Sequence, residues 1–96
     1  MRILLAEDDT RLAEPLAEFL GRERHAVTRV SDGGVALRAL LEDPYDLALL
    51  DWMLPSQDGL SIVKELRRQH SPTLVLMLTA RDSLDDVVKG LQSGAD

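Results

Sequence analysis

Cysteine is absent from this sequence, so neither a disulfide nor a thiolate metal site is available. That absence fits a reducing cytoplasm. Long apolar runs are missing as well: after Met1-Arg2 only four apolar residues precede Glu7. A secretory signal needs roughly 7–15 consecutive apolar residues and a membrane span about 20. A cytoplasmic protein with no membrane contact is the expectation. Positive charge is scarce, with 11 basic residues against 17 acidic ones and a formal charge of −6. Such a surface repels phosphate backbones, which argues against direct nucleic-acid binding by this segment. There is also no repeat, low-complexity tract or linker-like run.

What is present is enough for one core. Ninety-six residues make a single domain, and 45% of them are apolar. A chain of this size buries roughly 60–70% of the surface that its unfolded form exposes. Short apolar runs alternate with stretches of helical period, the pattern of a parallel sheet covered by helices. Ile3-Leu4-Leu5-Ala6 reads as a strand buried on both faces, and it stops abruptly at Glu7-Asp8-Asp9. Leu12, Leu16, Phe19 and Leu20 then share one helix face, with Gly21 as a C-terminal cap. Pro15 fits a first turn better than a helix interior, so the start of this helix is open.

Ala26 to Val30 reads as a more polar strand near an edge, and Ser31-Asp32-Gly33-Gly34 as a turn. Ala36, Leu37, Leu40 and Leu41 give a second helical stripe that Asp43-Pro44 ends. Leu47 to Leu50 looks the most central strand and runs into Asp51. Leu60, Val63 and Leu66, with Ile62 alongside, mark a third helix. Leu74 to Leu78 forms a fourth strand ending at Thr79, and Ser83-Leu84-Asp85-Asp86 opens a fourth helix through a capping-box-like start. The resulting β-α-β-α-β-α-β-α order predicts a doubly wound α/β sheet, whose ligands bind beyond the carboxyl ends of the strands.

Three strands end in residues that can do chemistry: Glu7-Asp8, Asp51 and Thr79. In a parallel sheet these ends share one rim, so the acids converge. Two carboxylates about 4 Å apart repel by roughly 4 kcal/mol at an effective dielectric near 20. A hard cation relieves that repulsion, and an all-oxygen donor set without cysteine or paired histidine favours Mg²⁺. Phosphoryl transfer asks mainly for an in-line nucleophile and neutralised charge. Asp51 can supply the nucleophile and become an aspartyl phosphate. The Thr79 hydroxyl can donate to a phosphoryl oxygen but not to an empty site, which is the differential contact that a switch requires.

These motifs together resemble the receiver domain of bacterial two-component response regulators. The resemblance rests on Ile3 to Asp9, on Asp46 through Asp51-Trp52-Met53-Leu54-Pro55 with Asp58-Gly59, on Leu78-Thr79-Ala80-Arg81, and on Gly94-Ala95-Asp96. It covers essentially the whole chain. The wording Asp-Trp-Met-Leu-Pro and Leu-Thr-Ala-Arg is similar to the OmpR-type subfamily, whose members carry a C-terminal winged-helix DNA-binding domain.

The resemblance implies a flavodoxin-like (βα)5 receiver fold over residues 1–96. Asp51 would be the phosphoacceptor, charged by a sensor histidine kinase. Asp8 would hold Mg²⁺ directly, Glu7 through water, and Met53 through its backbone carbonyl. Thr79 would be the switch hydroxyl, and Ala80 would leave room beside the phosphoryl group. Such a domain is not an enzyme but a phosphoacceptor that assists its own Mg²⁺-dependent phosphotransfer. It would control transcription through an output domain, with dimerisation in the full-length protein and DNA contacts made only by that further domain.

The sequence departs from the family pattern in one respect. Receivers continue past Gly-Ala-Asp into a fifth strand ending in Lys-Pro and then a fifth helix, and neither is present here. Lys64 and Lys89 belong to helices and do not replace that lysine. The chain reads as a truncated piece of a longer protein, and as such it would phosphorylate or signal poorly.

Other residues have plainer readings. Asp9 is expected to be a cap or turn residue before the first helix and Asp58 a helix cap, Asp85 and Asp86 to favour a helix N-terminus, and His25 and His70 to be surface residues. Trp52 is either a packing residue or part of a kinase-docking surface. An aspartate-nucleophile phosphatase needs a second acid two residues after the nucleophile, where this chain has Met53. A flavin or nucleotide module needs a phosphate-cradling loop where this chain has Glu7-Asp8-Asp9. A phosphorylation-independent interaction module is the remaining alternative.

Overall fold

The computed structural model of the chain describes residues 1–78. Four parallel strands, β1 (Arg2–Ala6), β2 (Ala26–Val30), β3 (Leu47–Asp51) and β4 (Leu74–Leu78), form one sheet in the order β2-β1-β3-β4. Between them run α1 (Thr10–Arg22), α2 (Gly33–Glu42) and α3 (Gly59–Arg68). This is the flavodoxin-like order that the sequence led us to expect, over the described residues. The expected fourth helix, with Asp85, Asp86 and Lys89, lies outside them.

Apolar side chains on both faces make β1 and β3 the centre of the sheet. Ile3, Leu5, Leu47 and Leu49 pack on Ala13, Leu16 and Leu20 of α1. Leu4, Ala6, Ala48 and Leu50 pack on Ala36, Leu40, Ile62 and Leu66 of α2 and α3. Each fully buried leucine or isoleucine contributes about 1.5–3 kcal/mol, so these two layers fix where β1 and β3 sit. At the margin, β2 is mostly exposed, as its polarity predicted. Among the described residues β4 is the opposite edge, with only Leu78 fully buried.

Local differences from the sequence reading have physical causes. Asp9 caps α1 by accepting the Arg11 N–H at 2.9 Å, so the helix starts well before Pro15, which lies inside it. The proline removes one helical hydrogen bond, to the carbonyl of exposed Arg11, while buried Ala13, Leu16 and Leu20 hold the helix to the sheet. Gly21 is not the C-terminal cap. The helix runs on to Arg22, and Arg24 takes the left-handed conformation at φ 68°.

The supposed turn at residues 31–34 is the start of α2, capped by Asp32 through the Val35 N–H at 3.0 Å. Asp58 caps α3 as expected, accepting the Ser61 N–H at 2.7 Å. Leu41 and Leu60 are exposed, because Ala36 and Leu40 fill the inward stripe of α2, and Gly59, Ile62 and Leu66 that of α3.

Candidate phosphoacceptor and metal site

The register Ala6↔Leu50 puts the ends of β1 and β3 side by side. From there β1 leads outward to β2 and β3 to β4, so strand order reverses at this rim. That reversal opens the crevice where doubly wound sheets bind ligands. Glu7 and Asp8 leave β1 on one side of it, and Asp51 ends β3 on the other. The Glu7 N–H donates to the Val30 carbonyl at 3.1 Å, which keeps the chain extended one residue past the strand. Glu7 therefore stays buried while Asp8 emerges into solvent.

Carboxylate oxygens of Glu7, Asp8 and Asp51 all lie within 4.8 Å of one another. Among the described residues no lysine, arginine or histidine forms an ion pair with any of them. Burial pushes the Glu7 carboxyl up from 4.5 to about 7, aided by its hydrogen bond to and charge repulsion from Asp51 and by its contact with Asp8. The Asp9 N–H, donating to Glu7 Oε2 at 3.0 Å, opposes that rise without cancelling it. Repulsion among the three carboxylates favours either a proton on one of them or a bound cation. Hard oxygen donors and an unbalanced negative charge fit a divalent cation of the Mg²⁺ class.

The loop after β3 adds to the rim. The Met53 N–H donates to Asp51 Oδ1 at 3.3 Å, and the Trp52 N–H to the Leu78 carbonyl at 3.2 Å. The two residues that follow Asp51 are exposed, Met53 at 80% and Trp52 at 40%. Gly59 must be glycine, because a Cβ there would come within 2.5 Å of the Asp51 carbonyl oxygen. On the β2 side, Glu7, Asp8, Thr10, Arg29, Val30 and Ser31 line a cavity of about 340 Å³.

Thr79 and Ala80 lie outside the described residues. Their neighbour Leu78 is in register with Asp51 across β3 and β4. His25, hydrogen-bonded to the N-terminal amine, and exposed His70 are absent from the carboxylate cluster, as expected of ordinary surface groups. Sequence reasoning did not find the depth of Glu7 or the place of Arg29 in the wall of the adjoining cavity. The burial of the preceding Ala6 was the one signal for the first of these.

Comparison with known proteins shows the family and the fold. Residues 3–96 match the family described as the response regulator receiver domain. The chain is 48% identical over 96 residues to the transcriptional regulatory protein QseB of Haemophilus influenzae. It is 50% identical over the same length to the response regulator protein PmrA of Pseudomonas aeruginosa. In each case the whole chain is covered, and it spans 43% of the relative's length. The receiver domain of the Francisella response regulator 1452 superposes with a TM-score of 0.79 at 36% identity, over 99% of this chain and 78% of that one.

Proposed function

Since the chain belongs to the response regulator receiver domain family, with OmpR-type regulators among its relatives, we propose that it accepts a phosphoryl group on Asp51 from a sensor histidine kinase. The observation that carries this reading is the convergence of Glu7, Asp8 and Asp51 at the point where strand order reverses. A carboxylate at the end of a central strand is held rigidly and faces the crevice, which suits in-line attack. An Asp51 oxygen attacks phosphorus while the phosphorus–nitrogen bond of the donor's phosphohistidine breaks. The products are an aspartyl phosphate and a free imidazole. Receiver domains of transcriptional regulators are regulatory rather than enzymatic, and this one acts as a stoichiometric acceptor.

The residues that would hold Mg²⁺ are Asp8 and Asp51 through their carboxylates, Met53 through its backbone carbonyl, and Glu7 through water. When bound, the cation supplies neutralisation of the negative charge on the phosphoryl oxygens. Asp51 offers the nucleophilic oxygen, and the Met53 N–H at 3.3 Å fixes the orientation of its carboxylate. Buried Glu7 lines the inner side of the site beside Asp8 and Asp51. Thr79 would then donate to the new phosphoryl group, with Ala80 leaving it room, and that contact would carry the switch.

The relatives' description as transcriptional and response regulators supports a wider reading. The chain would be the receiver segment, residues 1–96, of a cytoplasmic transcription regulator that dimerises and binds DNA through a domain outside this chain. Labelling with a small phosphodonor tests the core of it. One acid-stable, hydroxylamine-labile phosphate per chain should appear in Mg²⁺ and not in EDTA, and it should vanish in Asp51→Ala. Label that persists in Asp51→Ala rules the assignment out.

A further inference from the structure

Seven residues separate Asp51 from the start of α3, and this loop has a second anchor far along the sequence. The Gly33 N–H, at the first position of α2, donates to the Pro55 carbonyl at 2.9 Å. The Ser56 hydroxyl donates to Asp32 Oδ2 at 2.6 Å, while the other Asp32 oxygen accepts the Val35 N–H. A Cβ at Gly33 would collide with the Gln57 carbonyl oxygen, so the loop backbone lies directly against the helix start. These bonds hold the Asp32 carboxyl below its ordinary range, with the Ser56 hydroxyl as the largest cause. Ser56 itself sits at φ 72°, a conformation that L side chains rarely adopt. A strained residue persists only where its surroundings over-determine it, and such residues gather at functional sites.

Leu54, between the two ends of this loop, is buried in the core under α2 and α3. The loop is thus fastened at Asp51, Leu54 and Ser56, and the exposed Trp52-Met53 segment is spanned between fixed points. We propose that Asp32 and Ser56 are positioning residues for the acidic site: their hydrogen bond sets where the Met53 backbone and the Asp51 carboxylate stand, and so tunes divalent-cation binding and phosphoryl acceptance. This rests on the function proposed above. The pair touches neither ion nor phosphoryl group, so it acts through the loop, as partners behind a metal's direct ligands do.

The test separates positioning from stability. Ser56→Gly deletes the hydroxyl while relieving the positive φ, two effects on stability that oppose each other, so a purely structural role predicts a small change in melting temperature with Mg²⁺ binding unchanged. The positioning role predicts Mg²⁺ affinity weaker by about tenfold, within the range seen for such partners, with the same small change in melting temperature. Binding is read from Trp52 fluorescence during titration with Mg²⁺ alone, and phosphorylation rate from small-phosphodonor labelling at saturating Mg²⁺. Ser56→Ala, Asp32→Asn and the double variant complete a cycle, in which the double should lose no more affinity than the single changes. Unchanged Mg²⁺ affinity in Ser56→Gly, or losses that add in the double variant, would overturn the proposal while leaving Asp51 as acceptor. Absence of Mg²⁺ binding and labelling in the unaltered protein would instead overturn the underlying function.

Discussion

The two rims of the sheet carry similar residue types and treat them in opposite ways. At the rim where β1, β3 and β4 begin, the polar groups have partners. The Arg2 guanidinium lies 4.8 Å from the Tyr45 ring centroid and donates to the Pro44 carbonyl. Asp46 accepts the Arg2 N–H at 2.7 Å, and buried Thr73 donates its hydroxyl to the Tyr45 carbonyl at 3.0 Å. At the rim where those strands end, Glu7, Asp8 and Asp51 face one another with no cationic partner among the described residues. A paired rim stabilises the native state by itself. An unpaired one lowers stability until something binds, and such cost is tolerated where a site needs it.

The contrast can be tested by breaking one rim at a time. The largest effect belongs to Asp51→Ala, which should abolish phosphodonor labelling, while Asp46→Ala at the paired rim should leave labelling intact. Next comes Asp8→Ala, for which Mg²⁺ affinity measured by titration should fall on the order of tenfold or more, since even partners behind the direct ligands command that much. The same change should raise the melting temperature in EDTA, because it removes repulsion rather than a favourable contact. Asp46→Ala should lower it.

The third concerns pH. The Glu7 carboxyl is raised to about 7 in the native state, above its unfolded value. The stability tied to its proton is therefore complete below the unfolded pKa and is lost as pH rises through about 7. Melting temperature in EDTA should fall across this window, Mg²⁺ should remove the fall, and Glu7→Gln should flatten it. A fall unchanged in Glu7→Gln would assign it to another group.

Smaller effects come from the paired rim. Thr73→Val deletes a buried donor and leaves the Tyr45 carbonyl short of a partner, a cost of about 1–3 kcal/mol in denaturant melts. Mg²⁺ affinity should not change. Arg2→Ala removes an exposed cation–π contact, for about 0.5–1 kcal/mol, again without effect on the metal site. A change in Mg²⁺ binding by either variant would mean that the rims are coupled through the sheet.

Much of the site was legible in the residue order. Strands that end in Glu7-Asp8 and in Asp51 must place those acids on one rim if the sheet is parallel, and both strands run as expected from their apolar stretches. The helix faces were partly legible. Periodicity identifies an apolar stripe but not which of its members reach the sheet: Ala36, Leu37, Leu40 and Leu41 share the α2 stripe, yet Leu41 is exposed, and on α3 Leu60 is exposed while Gly59, Ile62 and Leu66 are buried. Gly33-Gly34 made residues 31–34 look like a turn although Asp32 caps α2 through nearby Val35, and its second bond, to Ser56, is remote in sequence.

The sequence alone therefore determined the strand-helix alternation, the rim on which the acids stand and the oxygen-only character of the donor set, because these depend on local pattern and chemistry. Tertiary structure decided the depth of Glu7, the closeness of the three carboxylates and the clamp between α2 and the loop after Asp51. Those depend on β1 lying beside β3 and on α2 lying against that loop. Adjacency between segments tens of residues apart comes from packing, and no local signal encodes it.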